Sequence, residues 1–279
     1  MKLDFINPES WRMDGGAAFG LVPKTIWSKQ YPADELNNVG MKQRCLIIED
    51  EGKLILIDTG MGNKKSDKYY KFKYISERKS LQEAVQEKGY SVDDFTDVIL
   101  THLHDDHVGG AVFYNDDDLP ELVFKNATHW VAKSQWDWAI NPNKREAGTF
   151  FKENLLPIDK LGNLKFIDEN KSEFKNIVFK IYDGHTVGQL IPFVNYNGKT
   201  IVYMADFIPT TAHIPIPYIA GVDIQPLKSL DEKEEFLEEA AMKNYYLFFE
   251  HDFFTEVCNV KRSEKGIILN KKFELKQIL

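Results

Sequence analysis

Four short apolar runs in this sequence each stop at a histidine or an aspartate. Val98-Ile99-Leu100 leads into Thr101-His102, and Ile181-Tyr182-Asp183-Gly184 leads into His185. Ile201-Val202-Tyr203-Met204-Ala205 leads into Asp206, and Leu247-Phe248-Phe249-Glu250 into His251. Apolar runs of this length bounded by polar or turn residues read as buried strands. Strand ends along one edge of a sheet are where side chains from distant parts of a chain converge. The pattern therefore calls for a sheet-based fold that brings such ends together.

The rest of the chain suits that demand. Cys45-Leu46-Ile47-Ile48 and Leu54-Ile55-Leu56-Ile57, separated by Glu51-Gly52-Lys53, predict a hairpin whose second strand exits through Asp58-Thr59-Gly60. Ser80-Leu81-Gln82-Glu83 predicts a capping box opening a helix that Gly89 stops. Ser229-Leu230-Asp231-Glu232 predicts a second capping box, followed by Phe236, Leu237, Ala240 and Ala241 at helical spacing. Further strands are expected at 121–124, 128–133, 163–168, 177–183, 188–196, 200–205 and 245–250. The first forty residues read as an irregular arm with short strands. Strand blocks with helices between them predict an α/β fold, two sheets packed together with helices outside. No linker interrupts the pattern, so 1–279 is expected to form a single domain.

Composition excludes some classes of function. Hydrophobic residues at 43% allow a sizeable core, and charged residues at 28% leave an ordinary solvated surface. A net charge of -8 argues against nucleic acid as the main partner, because phosphate binding relies on clustered Lys and Arg. No stretch approaches the ~18 apolar residues of a membrane span, and Met1-Lys2-Leu3-Asp4-Phe5 lacks the apolar region of a secretory signal. Cys45 and Cys258 sit in apolar runs and read as buried free thiols. A cytoplasmic location is the expectation that follows.

The chemistry concentrates in Thr101-His102-Leu103-His104-Asp105-Asp106-His107-Val108-Gly109-Gly110. In an extended chain residues two apart point to one side, so His102 and His104 reach a common ion. Beyond a turn, Asp106 and His107 project toward a neighbouring position, and Gly109 and Gly110 permit close backbone approach or positive φ. Four such groups do not complete two sites. His185, Asp206 and His251 are the candidates for the remainder, so five of the seven histidines fall in this pattern.

The segment His102-x-His104-x-Asp106-His107 resembles the signature of the metallo-β-lactamase superfamily. Its supporting pieces stand in order: Asp58-Thr59-Gly60 before it, then Gly184-His185-Thr186, Asp206 and His251. The resemblance covers roughly residues 40 to 255 and implies an αβ/βα sandwich of two mixed sheets flanked by helices. Carried over residue by residue, it implies one metal on His102, His104 and His185 and a second on Asp106, His107 and His251. Asp206 and a hydroxide would bridge them, and Asp58 would orient the ligand loop. Two divalent ions, zinc by expectation, lower the pKa of a shared water and polarise the scissile carbonyl or phosphoryl group. Asp106 is expected to act in catalysis as well as in binding. Asp58, Asp105 and Asp183 are the candidates to fix imidazole tautomers.

The wording looks most like the branch holding acyl-homoserine lactonases and organophosphate hydrolases, which implies a small-molecule substrate and a quorum-quenching lactonase. Phosphotriesters, aryl esters and β-lactams are the alternatives, and a non-catalytic metal-binding protein is a remote one. Several relatives place a Tyr three residues beyond the bridging Asp; here Pro209 stands there. His213, or Tyr218 beyond it, is the expected substitute. The apolar, proline-stiffened stretch from Phe207 to Pro226 reads as a pocket wall. Trp130, Trp136 and Trp138 read as packing residues or as additions to that wall. The arm with Trp11, Phe19 and Trp27 either covers a pocket or joins two copies in a homodimer.

Overall fold

The computed structural model describes residues 1–168 and 173–279. The chain divides into two compact units, each assembled from two segments: 1–10 with 43–175, and 11–42 with 176–279.

The first unit is built on a six-stranded mixed sheet. Its strands are β1 (Lys2–Ile6), β2 (Cys45–Asp50), β3 (Lys53–Ile57), β4 (Asp97–Ile99), β5 (Thr128–Ala132) and β6 (Leu164–Ile167), in spatial order β1-β2-β3-β4-β5-β6. The β2–β3 hairpin is antiparallel, and β3, β4, β5 and β6 run parallel to one another. Leu54, Ile55, Leu56 and Ile57 are all buried, as expected for a parallel-sheet strand covered on both faces. The core cluster joins Ile47, Leu56 and Val98 to Leu81 and Val85 of α1 (Leu81–Gln86). Ser80 caps α1 with the expected capping box. Three further helices follow: α2 (Asp105–Val108), α3 (Lys133–Ile140) and α4 (Lys152–Lys160).

The second unit carries another six-stranded mixed sheet. Its strands are β7 (Ile177–Tyr182), β8 (Gln189–Tyr196), β9 (Lys199–Tyr203), β10 (Tyr246–Phe248), β11 (Val257–Ser263) and β12 (Gly266–Phe273), again in that spatial order. Antiparallel pairing of β7 to β8 and of β8 to β9, with parallel pairing of β9 to β10, makes β7, β9 and β10 point one way. Their C-terminal ends therefore share one edge. Each sheet mixes parallel and antiparallel pairs and is accompanied by helices, so the α/β class holds.

Several local expectations change. The last long helix, α5 (Pro226–Lys243), begins at Pro226 with Gln225 as its cap, so Ser229 lies inside the helix and is buried. Proline's fixed φ and missing N–H suit the first helical position, and that signal outranks the capping box read from Ser229. Glu232 does something else. Its carboxylate accepts from the backbone N–H of Asp183 at 3.0 Å and of Gly184 at 2.9 Å. The arm is also more regular than expected. Lys2–Ile6 is the edge strand of the first sheet, and two helical turns, Gly15–Phe19 and Lys24–Trp27, lie in the second unit. The hairpin β11–β12 and the helices α3 and α4 were not foreseen. The expected strand at 121–124 is a shorter Pro120–Leu122, paired with Val112–Tyr114. Cys45 and Cys258 are buried free thiols. Among the described residues no helix is long and apolar enough to cross a membrane.

Candidate metal centre

In the first unit β4 ends at Ile99, and Leu100-Thr101 delivers His102. The chain stays extended to His104, which caps the helical turn α2 that carries Asp106 and His107. The His102 ring meets that of His104 edge-on, centroids 4.6 Å apart, and that of His107 at 3.9 Å. His107 Nε2 lies 3.8 Å from an Asp106 carboxylate oxygen.

Asp58 organises this cluster. Its carboxylate accepts from Thr101 N at 2.8 Å and from Thr101 Oγ1 at 2.6 Å, and it lies 3.0 Å from His107 Nδ1. Because the Thr101 hydroxyl donates to Asp58, it accepts from His102 Nδ1, 3.1 Å away. Asp58 itself holds φ 57, a left-handed backbone uncommon outside glycine, at the turn where β3 ends. His104 Nε2 is 3.3 Å from Glu146 Oε1, and the other oxygen of Glu146 accepts from Trp138 Nε1 and Asn143 Nδ2. Gln43, fully buried, donates to the Asp106 carbonyl at 2.6 Å.

The loop that carries His102 to His107 is also clasped from behind. Thr59 N donates to His107 O at 2.8 Å and Gly110 N to Gly60 O at 2.9 Å. A Cβ on Gly110 would lie 2.0 Å from Thr59 O, and one on Gly109 would lie 2.2 Å from Met61 O. Close approach, not positive φ, is what these two glycines supply. Gly109 has φ -59.

In the second unit the shared strand edge presents His185 after β7, Asp206 after β9 and His251 after β10. One Asp206 oxygen lies 3.1 Å from His185 Nε2 and the other 2.8 Å from His251 Nε2. A single carboxylate thus divides its oxygens between two imidazoles. Each ring is fixed from its far side. His185 Nδ1 lies 2.9 Å from Asp223, and His251 Nδ1 donates to the Lys42 carbonyl at 2.9 Å. Trp11 meets the His251 ring edge-on at 6.0 Å. Burial alone would lower the His185 pKa, but Asp206 and then Asp223 outweigh it and lift it to about 10. Such surroundings call for a cation.

All five imidazoles therefore have one ring nitrogen set against an oxygen within their own unit, and in the neutral tautomer that donates there the lone pair lies on the opposite nitrogen. That is the arrangement of metal-ligating histidines, and imidazole with carboxylate is a donor set for zinc and related divalent ions. Of the expected tautomer-fixing carboxylates only Asp58 serves. Asp105 instead pairs with Tyr69 and Lys73, and Asp183 with Gly188 N and Lys228. The residues that do the work, Asp223 and Glu146, lie far in sequence from the rings they hold. Nothing periodic marks them.

His213 corrects an expectation. It is buried, with its ring stacked on Phe19 at 4.6 Å. Nε2–H donates to the Ala18 carbonyl and Nδ1 accepts from the Thr210 hydroxyl, both at 2.8 Å. Burial, the leading influence, pulls its pKa down to about 4. A neutral imidazole with both nitrogens committed is not a proton donor to substrate. The stretch that carries it is tied to α5 by Lys233, whose ammonium donates to the carbonyls of His213, Pro215 and Tyr218. Of the three tryptophans, Trp130 donates to Asp97 inside the sheet, and Trp138 supports Glu146.

The sequence profile of the metallo-beta-lactamase superfamily matches residues 40–251, a span that contains all five of these histidines together with Asp106 and Asp206. The chain belongs to the metallo-β-lactamase superfamily. An N-acyl homoserine lactonase of Bacillus thuringiensis is 23% identical over 221 residues, covering 75% of this chain and 80% of that protein. A probable metal-dependent hydrolase from Staphylococcus aureus superposes with a TM-score of 0.87 at 28% identity over 98% of both chains. AidC, a dizinc quorum-quenching lactonase solved with a hexanoyl-homoserine product, superposes with a TM-score of 0.81 at 23% identity, covering 98% and 95%. The fold is the metallo-β-lactamase fold, and the chain is a metal-dependent hydrolase.

Proposed function

We propose that the two units act as one domain holding two divalent ions, and that the enzyme opens the ring of a lactone such as an acyl-homoserine lactone. The observation that carries the two-ion reading is Asp206, whose oxygens turn to His185 and His251 separately. His102, His104 and His185 would hold one ion, Asp106, His107 and His251 the other, and Asp206 both. When bound, such a pair supplies a nucleophilic oxygen at neutral pH and an electrophilic contact for the carbonyl.

The chain's own groups then have distinct tasks. Asp58, Glu146 and Asp223 hold imidazoles in the ligating tautomer. Asp106, half-buried and acidic, takes the proton released by the attacking water and returns it to the departing ring oxygen. Pro209 leaves the position of the usual tyrosine without a donor, which places more of that work on Asp106. The lactone is favoured because the relatives named above include lactonases of matching length.

The test is a parallel hydrolysis panel on zinc-reconstituted protein with metal counted in the same sample. Acyl-homoserine lactones of several chain lengths would be set beside an aryl ester, a phosphotriester and a β-lactam. Two metals per chain and a preference for lactones are expected. Preference for another substrate would overturn the lactone, and absence of both metal and turnover would overturn the metal centre.

A further inference from the structure

Behind the ligand loop, in the first unit, lies a cavity of about 320 Å³, within the size range of small-molecule sites. Leu81, Val112, Phe113 and Val123 give it apolar lining, and Glu9, Asn63, Arg78, Lys79, Ser80 and Gln82 give it polar lining. Glu9 and Arg78 are cross-strand partners, in a short antiparallel pairing of Glu9-Ser10 with Glu77-Arg78. Glu9 is buried at 2% exposure. Its Oε1 accepts from Gly62 N at 3.2 Å, while its Oε2 has no hydrogen-bond partner among the described residues. Arg78 is exposed, its guanidinium lying 3.9 Å over the Tyr70 ring.

A buried carboxyl oxygen without a partner is a costly feature in a well-packed unit. Burial pushes the Glu9 pKa up to about 8, against the pull of Arg78 and of the backbone N–H groups of Gly62 and Met61. In the protonated form that burial favours, this acid beside a guanidinium is complementary to an anion with two acceptor oxygens. The apolar walls are complementary to a hydrocarbon tail. Lys79, at the same rim, is already paired with Glu87 at 2.6 Å, which leaves Arg78 as the cation facing an anionic head.

We propose that this cavity binds a small amphipathic carboxylate, its head between Glu9 and Arg78 and its tail among Leu81, Val112, Phe113 and Val123. The occupant touches Gly62 and Gly110, the two backbone stretches clasped around the ligand loop. The site is separate from the metal ligands and does not rest on the substrate assigned above.

The experiment uses zinc-loaded full-length protein and octanoate as the probe, with octanamide as its neutral counterpart. Binding is read by calorimetry and located by amide chemical shifts. Saturable binding of one octanoate per chain is expected, with shifts at Gly62, Asn63 and Gly110 and at least tenfold weaker binding of octanamide. Arg78→Gln, at an exposed position, should weaken octanoate at least tenfold while zinc content and turnover stay unchanged. Gln82→Trp, which fills the exposed rim, should do the same. Octanoate binding that survives both substitutions places the anion elsewhere, the metal centre included, and overturns the proposal. So do equal binding of octanamide and the absence of saturable binding.

Discussion

Asp223 lies 2.9 Å from Nδ1 of His185, and it reaches that ring from 38 residues further along the chain. The contact fixes which nitrogen of His185 faces Asp206. Removing such a partner typically costs ten- to a hundredfold in metal affinity. Asp223→Ala should therefore weaken metal binding by about that factor with the fold intact, as read by competition with a chromogenic chelator alongside circular dichroism. Unchanged affinity would mean that Asp206 alone orients the ring.

His104→Ala and Asp206→Ala should each abolish hydrolysis and lower the metal count per chain. Metal counting by mass spectrometry on the purified variants decides this. Turnover with full metal content in either variant would refute the ligand assignment.

His213→Ala should act on stability rather than on metal. It removes a ring stack worth about 0.5–1.5 kcal/mol and two buried hydrogen bonds worth about 1 kcal/mol each. A loss of about 2–4 kcal/mol in denaturant unfolding, with zinc content unaltered, is the expected result.

The same residue sets a pH dependence. Its folded pKa of about 4 lies below the value of about 6.5 in an unfolded chain. Between those values the unfolded chain binds a proton that the folded chain does not. Stability present above about pH 6.5 is therefore lost as pH falls toward 4, by about 3 kcal/mol in all. His213→Phe keeps a ring to stack on Phe19 and lacks the titration. The stability difference between wild type and His213→Phe should shrink on acidification, and a constant difference would remove His213 from the account.

Glu232→Ala frees the N–H groups of Asp183 and Gly184 that precede His185. The expected outcome is weaker metal binding with the helix α5 still formed, measured as in the Asp223 experiment. An unfolded variant would instead make Glu232 a residue of the fold.

What the sequence made legible was local. His102, His104, Asp106 and His107 declare themselves by spacing, and His185, Asp206 and His251 by their place after apolar runs. Asp58 was legible because it ends such a run. Glu146, Asp223 and Gln43 were not, since each acts on a ring or carbonyl dozens of residues away and sits in no periodic pattern. Ser229 misled because a good capping box stood three residues inside a helix that Pro226 had already begun. The hairpin β11–β12 escaped because Lys261, Arg262, Lys271 and Lys272 leave it few apolar positions to alternate.

The clasp between residues 59–62 and 107–110 is built mainly from backbone, with the Thr59 hydroxyl donating to the His107 carbonyl at 2.8 Å as a side-chain contribution. Gly60 and Met61 meet the loop through backbone atoms, Thr59 through both backbone and hydroxyl, and Gly109 and Gly110 have no room for a Cβ. Asp106 and His107 thus inherit their position from a joint whose two glycines point mutation can break but cannot tune.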